Sequence, residues 1–253
     1  MEEYDFFYDD NYYDPAYRAL ISNVCFLRSY QAEALRTIFD AVMEGNGGRF
    51  TVTFPRQSGK NETQAQLEAA VMEACQWRGG NIIKILPTEK NQGKISTERL
   101  KSVLAAQGTV SACRTGGNAV TVPVCADFAA TGIAAPYASP LKVKRGEITY
   151  GSTSLRCLSA SPNAAIVGAT ADLMLEVDEA QMIPCEKFDR EAAPMAASTN
   201  AVRVFWGTVW DDRTLLARET KLAEGDGYHR VAEPTRENCP SPEGAPSQGR
   251  DGS

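Results

Sequence analysis

Short apolar runs alternate along this chain with stretches in which apolar residues recur at helical spacing. Residues 49–54 (RFTVTF) and 81–87 (NIIKILP) are rich in β-branched or aromatic side chains, which predicts strands. Residues 28–43 repeat apolar side chains every three or four positions, which predicts a helix. Further helices are predicted over about 60–77 and 91–107. A β-α-β-α order is typical of a parallel sheet covered by helices on both faces.

The same alternation resumes in the second half of the chain. The predicted elements there are strands at 172–178 and 201–206 and helices over about 186–197 and 213–224. Residues 141–159 predict short strands around two turns, and we expect a small strand-rich insertion at 108–160. The predicted fold class is α/β, with a mainly parallel sheet and helices on both of its faces.

Composition narrows the class of protein further. The chain has 253 residues, 43% of them hydrophobic and 23% charged, which is typical of a globular protein with a large core. Its acidic start, MEEYDFFYDD, differs from a signal or transit peptide. No stretch approaches the roughly 18 apolar residues that a membrane helix needs. We therefore expect an intracellular protein that does not contact a membrane.

Cysteine and histidine offer little for metal or acid–base chemistry. The seven cysteines are scattered without a C-x-x-C pair, which argues against a zinc site and against a disulfide framework. His229 is the only histidine. Catalytic proton transfer is therefore expected from carboxylates.

The net charge of −6 bears on nucleic-acid binding, because an autonomous DNA-binding domain is usually basic. Contact with nucleic acid is therefore expected to be local or shared within an assembly. Two basic clusters are present, and a solvated charged face is the favoured interpretation of both. The clusters are Lys84, Lys90, Lys94, Arg99 and Lys101, and Lys142, Lys144 and Arg145.

Residues 54–61, Phe-Pro-Arg-Gln-Ser-Gly-Lys-Asn, form a predicted phosphate loop between a strand and a helix. Such a turn directs backbone N–H groups and the positive end of the helix dipole at an anion. Gly59 allows the backbone to approach closely, and Lys60 can reach the β- and γ-phosphates. The usual pattern G-x-x-x-x-G-K-[ST] is changed twice, with Phe54 for the first glycine and Asn61 for the magnesium-binding Ser or Thr. A Gly-Lys pair in an ordinary turn is the alternative.

Residues 173–179, Leu-Met-Leu-Glu-Val-Asp-Glu, predict a buried central strand that ends in two carboxylates. Ligands bind at the carboxyl ends of the strands in parallel sheets. Asp178 is placed to hold Mg²⁺, directly or through water, and Glu179 to polarise an attacking water. A plain surface Asp-Glu pair is the alternative, and Lys60 upstream makes it less attractive. The pattern does not explain Glu176 inside the strand.

These motifs, in this order, resemble those of the large terminase subunit of tailed bacteriophages over roughly residues 26–225. The segment from Pro55 to Asn61 is similar to that family's Walker A motif, and DEAQ at 178–181 to its Walker B. Tyr30-Gln31 resembles its adenine-recognition motif, and Phe205-Trp206-Gly207-Thr208 its coupling motif. The resemblance implies a RecA-like P-loop ATPase of the ASCE type that drives double-stranded DNA into a procapsid.

By this resemblance ATP is the substrate and Mg²⁺ is the metal cofactor. Gln31 is expected to contact adenine, and Asp178 and Asn61 are the expected metal ligands. Glu179 is expected to be the catalytic carboxylate. The residues expected to bind the nucleotide phosphates are Pro55, Arg56, Gln57, Ser58, Gly59, Lys60 and Asn61.

Three arginines could stabilise the transferred phosphate. Arg56 stands where some members of the family place an arginine that senses the γ-phosphate, so it is a second catalytic candidate. A structural ion pair is the alternative for Arg56. Arg99 and Arg145 are equal candidates for a finger supplied to a neighbouring subunit. Gly207 and Thr208 are expected to couple hydrolysis to movement.

The resemblance also implies partners and a place in the cell. We expect a homo-oligomeric ring on double-stranded DNA, where weak basic patches of several subunits act together. Portal protein and the small terminase subunit are the implied protein partners. The implied location is the host cytoplasm and, transiently, the procapsid portal.

Three segments are predicted along the chain. Residues 1–25 are an acidic, aromatic N-terminal segment, residues 26–232 the P-loop ATPase domain, and residues 233–253 a disordered tail rich in Pro, Gly and Ser. A full large terminase continues into an RNase-H-like nuclease domain. The short stretch after Thr208 cannot contain that domain, so we expect no DNA cleavage.

Other protein classes fit the motifs less well. Superfamily 2 helicases also carry DEAQ, but they need a second RecA-like domain and usually have Gly-Lys-Thr in Walker A; a helicase-like ATPase fragment stays an alternative. A small GTPase needs an N-K-x-D motif, which is missing, and a small-molecule kinase does not need Glu179 or the Gly-Thr strand end. A non-catalytic assembly protein that keeps the ATPase fold is the other alternative.

Overall fold

A computed structural model of the chain describes most of the predicted domain. The described residues are 15–88, 92–107, 111–115, 118–122, 141–144, 146–161, 163–164, 166, 168–208, 210–225 and 229–232. The predicted tail at 233–253, most of the 108–140 stretch, and the residues Lys90 and Arg145 lie outside this part of the chain. Of the predicted N-terminal segment, the description begins at residue 15.

The predicted helices and strands are nearly all present, with ends shifted by a few residues. The longer helices are α1 (Pro15–Val24), α2 (Ser29–Glu44), α3 (Lys60–Ala74), α4 (Lys94–Gln107) and α5 (Leu215–Gly225). The strands are β1 (Arg49–Thr53), β2 (Gly80–Leu86), β3 (Ser111–Thr115), β4 (Asn118–Val122), β5 (Leu141–Lys144), β6 (Glu147–Tyr150), β7 (Thr153–Ser159), β8 (Met174–Val177), β9 (Val202–Gly207) and β10 (His229–Ala232).

Eight strands form one sheet in the order β10-β1-β9-β8-β2-β7-β6-β5. From β10 to β7 every neighbouring pair is parallel, and β6 and β5 continue the sheet in antiparallel pairing. β3 and β4 pair with each other as a separate hairpin. The predicted α/β class with a mainly parallel sheet is confirmed.

The sheet is covered on both faces, because successive strand residues point to opposite sides. In β2, Ile82 and Leu86 pack with apolar residues of α2, α3 and α4. Ile83 and Ile85 pack on the other side, against the segment 180–196 and the start of α5. A strand buried on both faces is the reason for its continuous apolar sequence.

The predicted insertion at 108–160 is wrong for its second half. β7 pairs in parallel with β2 along its whole length, from Thr153 opposite Gly80 to Ser159 opposite Leu86. β6 and β5 then extend the main sheet. The sequence pattern shows three short strands joined by turns, but it does not show which distant strand they join.

The predicted helix over 186–197 is a series of short turns instead of one α-helix. The turns are 3₁₀ at Ala180–Met182 and Ala193–Ala196, α at Cys185–Lys187 and π at Phe188–Ala192. Pro194 lacks the N–H that a continuous helix would need there. The apolar spacing still buries the expected side chains, which are Phe188, Ala192, Met195 and Ala196.

Helix α1 falls inside the predicted N-terminal segment and packs on α3 and α2. Ala19 and Asn23 are fully buried there, and the Asn23 side-chain amide donates to the Ala19 carbonyl at 2.8 Å. The division between residues 1–25 and 26–232 stays a prediction. None of the helices in the described part of the chain is long and apolar enough to span a membrane.

Phe54, which replaces the first glycine of the usual phosphate-loop pattern, is a core residue with 1% exposure. Its ring makes edge contacts with Tyr30 and Trp206, at centroid distances of 5.5 and 6.2 Å. Tyr30 also donates its hydroxyl proton to the Ser58 carbonyl at 2.6 Å. Phe54 therefore joins α2, the phosphate loop and β9 in one packed unit.

We predict that Phe54→Ala lowers the free energy of unfolding by about 3–5 kcal/mol, because it leaves a cavity between two aromatic rings. Phe26→Ala is the control, since Phe26 is 56% exposed. Its expected effect is within about 0.5 kcal/mol. Urea unfolding of both variants measures the difference. Equal effects would contradict the packing role of Phe54.

Candidate functional site

A cavity of about 600 Å³ opens where the carboxyl ends of β1, β8 and β9 meet at one edge of the sheet. The phosphate loop and the start of α3 form one wall. The other walls come from Arg99 on α4, from the turn after β8 and from the residues after β9. The turn after β8 contributes Glu179, Gln181 and Met182. The residues after β9 contribute Thr208 and Trp210.

The predicted phosphate loop turns sharply between β1 and α3. Gln57 and Gly59 have left-handed backbone angles, with φ of 63° and 87°. A Cβ atom on Gly59 would lie 2.3 Å from Gln31 Nε2, so glycine is needed for space as well as for conformation. Lys60 begins the 15-residue helix α3, whose N-terminal end places positive partial charge at the cavity wall.

The structure brings the predicted lysine and both predicted carboxylates together. Lys60 Nζ lies 2.9 Å from Asp178 Oδ1 and also forms an ion pair with Glu179 Oε1. Lys60 arrives from the start of α3, and the two carboxylates follow β8. The side chains of Lys60 and Asp178 are largely buried where they meet, which does not fit a plain surface Asp-Glu pair.

Asp178 is held at one oxygen by three donors. Its Oδ1 accepts from Lys60 Nζ, from Gln64 Nε2 at 3.0 Å and from the Glu179 backbone N–H at 2.9 Å. Burial by itself raises the pKa of Asp178, but the charges of Lys60 and Lys84 outweigh burial and hold that pKa below its ordinary value. Asp178 is therefore a carboxylate anion at neutral pH.

The residues at this edge fit a magnesium ion that arrives with phosphate. Mg²⁺ is commonly bound by one or two carboxylates together with phosphate oxygens and water. Asp178 supplies a buried anionic carboxylate in contact with Lys60, which lines the cavity, and Asn61 lines the cavity with its amide side chain. Across the residues that the structure describes, no group of three or more His, Cys, Asp or Glu side chains could hold a metal by itself.

A hydrogen-bonded chain connects Glu179 to the predicted coupling motif. Gln181 donates its Nε2 proton to Glu179 Oε2, and its Oε1 accepts from the Thr208 backbone N–H at 3.3 Å. Thr208 donates its hydroxyl proton to the Phe54 carbonyl at 3.1 Å. A Cβ atom on Gly207 would lie 2.3 Å from Gln181 Oε1, so this contact requires glycine.

Gln31 is buried against the backbone of the loop. Its Oε1 accepts from the Arg28 N–H at 2.9 Å at the start of α2. Its Nε2 donates to the carbonyls of Ser58 and Gly59 at 3.2 and 3.3 Å. Gln31 thus supports the phosphate loop, and its predicted contact with adenine stays a prediction.

The arginines differ in what they contact. Arg56 is exposed on the cavity wall and makes no ion pair within the described residues, so the alternative of a structural pair gains no support. Arg99 lines this chain's own cavity and pairs with Glu62 at 2.7 Å. Arg145 lies outside the described residues.

Four residues at the cavity have no role predicted from the sequence: Gln181, Met182, Trp210 and Glu62, which pairs with Arg99. Gln181 is the last residue of the DEAQ motif. Membership of that motif could have indicated a role for it, but none was predicted. Met182 and Trp210 are exposed apolar side chains at the cavity wall, with 50% and 67% exposure. Their exposure depends on the turns after β8 and β9, which no sequence pattern specifies.

The interpretation of the first basic cluster as a solvated charged face is wrong for Lys84. It is fully buried in β2, so it belongs neither to a solvated face nor to a nucleic-acid surface. Lys94, Arg99 and Lys101 are exposed, as expected. A lysine inside an apolar strand needs buried partners, and these come from distant segments.

The partners of Lys84 form a buried polar cluster behind the cavity. Lys84 Nζ contacts Glu68 Oε1 at 2.5 Å and lies 3.9 Å from Glu176 Oε2, and Glu176 stands directly opposite Lys84 in the β2–β8 pairing. Trp206 Nε1 donates to Glu176 Oε1 at 3.0 Å. This cluster explains Glu176, which the sequence pattern left unexplained.

Two pKa values in the cluster are shifted. Burial, followed by the charge of Glu68, raises the pKa of Glu176 well above its ordinary value. Burial lowers the pKa of Lys84, but the charges of Glu68 and Glu176 outweigh it, and that pKa is raised. The cluster therefore keeps Lys84 as a cation and favours a protonated Glu176, which limits the net charge enclosed in the core.

Solved structures of bacteriophage proteins share the fold of this chain. No family model matches the sequence, and no curated protein matches it. The large terminase of a thermophilic bacteriophage superposes with a TM-score of 0.55 at 12% identity, over 81% of this chain and 44% of that one. This chain has the fold of that terminase, a P-loop NTPase fold.

Two further structures agree. The large terminase of bacteriophage HK97 gives a TM-score of 0.52 at 13% identity, over 81% of this chain and 38% of that one. The terminase of the same thermophilic phage in complex with ADP gives 0.52 at 13% identity, over 81% and 44% of the two chains. The expected likeness to large terminases is confirmed at the level of fold. This chain spans less than half the length of each of these terminases.

We predict that Lys84→Met lowers the free energy of unfolding by about 3–5 kcal/mol, because it leaves buried carboxyl groups without their cation. Lys101→Met is the control. Lys101 is 46% exposed and pairs with Glu98 at 3.8 Å. Such a surface pair contributes about 0–1 kcal/mol.

The double variant Glu68→Leu/Lys84→Met removes both charges, so we expect it to recover most of that loss. Urea unfolding followed by tryptophan fluorescence measures all three variants. A Lys84→Met variant as stable as Lys101→Met would contradict the buried ion pair.

Proposed function

We propose that this chain binds ATP with Mg²⁺ at the phosphate loop and hydrolyses it, as the motor domain of a viral large terminase that packages double-stranded DNA. One observation carries the hydrolysis: Lys60 meets both Asp178 and Glu179 beside a cavity walled by the phosphate loop. The fold shared with two phage terminases supports the packaging context.

Nucleotide binding is proposed to begin at the start of α3. The N–H groups of its first turn and the Lys60 ammonium bind the β- and γ-phosphates. Phosphate oxygens compete with Glu179 for Lys60, so binding frees one carboxylate oxygen of Glu179. Gln181 keeps hold of the other oxygen and preserves the orientation of the carboxylate.

The metal is proposed to be held by Asp178 and Asn61. Mg²⁺ bound with the nucleotide neutralises charge on the phosphate oxygens. The depressed pKa of Asp178 keeps this ligand anionic without a proton to displace.

Glu179 is the proposed base of the hydrolytic step. It orients a water for in-line attack on the γ-phosphorus and accepts the water proton. The new oxygen–phosphorus bond forms as the bond to the ADP oxygen breaks, giving ADP and phosphate. Arg56, exposed on the cavity wall, is proposed to stabilise the transferred phosphoryl group, an interaction that can be worth about 10³-fold in rate.

Coupling is proposed to run from Glu179 through Gln181 to Thr208. The backbone N–H of Thr208 and its hydroxyl are both engaged, the first by Gln181 and the second by the phosphate loop. A shift of Glu179 after hydrolysis therefore changes contacts at the end of β9. Gly207 permits this close approach.

The wider setting is part of the same proposal. With a net charge of −6, one subunit is expected to hold DNA weakly, and a homo-oligomeric ring would combine several weak contacts. Portal protein and a small terminase subunit are the proposed partners, in the host cytoplasm and at the procapsid portal.

We expect Glu179→Gln to keep its affinity for ATP and to lose about 10²- to 10⁴-fold in kcat, because the amide cannot accept the water proton. Glu186→Gln is the control, since Glu186 is exposed on the neighbouring turn. Lys60→Ala is expected to lose tight ATP binding. Steady-state phosphate release and equilibrium binding measure these effects. Wild-type turnover in Glu179→Gln would refute its role.

Double-stranded DNA is expected to stimulate ATP turnover of the wild-type chain, with less stimulation at about 200 mM than at about 50 mM salt because the contacts are with phosphates. The assay compares double-stranded DNA, single-stranded DNA and no DNA, with Glu179→Gln as the blank. Stimulation by single strands together with strand separation would favour the helicase-like alternative. ATP binding without turnover would favour a non-catalytic assembly protein.

A further inference from the structure

We propose that Gln64 positions the carboxylate of Asp178 for the metal, and that the buried Lys84–Glu68 pair holds Gln64 in the orientation this requires. The inference rests on the proposed function, because that function assigns Asp178 to the metal. Gln64 is a positioning residue here and has no contact of its own with the phosphates.

Gln64 and Lys60 converge on the same oxygen of Asp178. They are four positions apart on α3, so they share one face of the helix. Their distances to Asp178 Oδ1 are 3.0 and 2.9 Å. Lys60 is the one required by the phosphates, whereas Gln64 is buried to 1% exposure and stays with Asp178 when Lys60 turns to the nucleotide.

Lys84 determines which end of the Gln64 amide faces Asp178. An ammonium group only donates hydrogen bonds, and a carboxylate only accepts them. Lys84 Nζ donates to Gln64 Oε1 at 3.3 Å, so the carbonyl end faces Lys84. The Nε2 end is thereby directed at Asp178. Together with Lys60 and the Glu179 N–H, this donor holds Oδ1 of Asp178, and the other carboxylate oxygen, Oδ2, is the one left for the metal.

Glu68 holds Lys84 in turn. It lies four positions beyond Gln64 on α3 and contacts Lys84 Nζ with full burial of both side chains. Hydrogen bonds to charged groups are strengthened where water is excluded, as at the contact between Lys84 Nζ and Glu68 Oε1. The sequence signal is a stripe of three polar residues, Lys60, Gln64 and Glu68, at intervals of four along one helix.

The test separates metal positioning from a structural role by measuring ADP binding with and without Mg²⁺. Calorimetry gives the dissociation constant of ADP in excess EDTA and in excess Mg²⁺ for the wild type, Gln64→Met and Gln66→Met. Gln66 is a matched control on the same helix: it is also buried, and it donates to Glu62 Oε1 at 2.9 Å, away from Asp178.

In Gln64→Met we expect the Mg²⁺-dependent gain in ADP affinity to fall by about 10- to 100-fold, as for other residues that orient a metal ligand. The affinity in EDTA is expected to stay at the wild-type value, because Lys60 and the phosphate loop are unchanged. Gln66→Met is expected to keep both affinities. A folded Gln64→Met that retains the wild-type gain would overturn the inference.

Two further outcomes are distinguishable. A wild-type chain that does not bind ADP would refute the proposed function itself, and the role of Gln64 would fall with it. If Gln64→Met does not fold, Glu68→Leu/Lys84→Met replaces it, since this variant keeps Gln64 but removes its anchor. A smaller Mg²⁺-dependent gain in that variant supports the inference, and an unchanged gain contradicts it.

Discussion

The ion pairs between Lys60 and the two carboxylates depend on parallel pairing in the sheet. β1 leads into the phosphate loop and β8 into Asp178 and Glu179, with only β9 between them. Because all three strands run in the same direction, their carboxyl ends lie at one edge, and the groups that follow them meet there. An antiparallel β8 would place its carboxylates at the opposite edge and remove the site.

A second constraint comes from α3, which carries the polar groups that reach this edge and the core behind it. Lys60 faces the cavity, Gln64 faces Asp178 and Glu68 faces Lys84, so one helix face connects solvent-accessible chemistry to a fully buried charge. Burying such charges costs free energy unless each is paired. The contacts of Lys60 and Gln64 with Asp178 extend this network to the end of β8.

The departures from the usual phosphate-loop pattern fit these constraints. Phe54 lacks the backbone freedom of glycine, but its ring packs against both Tyr30 and Trp206. Its carbonyl accepts a hydrogen bond from the Thr208 hydroxyl. Gln31 and Tyr30 both donate to loop carbonyls, so the loop is braced from α2. Contacts with α2 and β9 therefore hold the loop in place, although its sequence departs from the usual pattern.

The sequence by itself determined the order of the elements, the α/β class, and the convergence of Lys60, Asp178 and Glu179, because periodicity and strand-end position are local properties. It did not show that residues 141–159 join β2, that Lys84 is buried, or that Gln31 and Gln181 support the loop and the carboxylate. These facts depend on partners far away in the chain. Only the tertiary structure decides which distant side chains are buried next to one another. Those neighbours determine the charge and the orientation of each buried polar side chain.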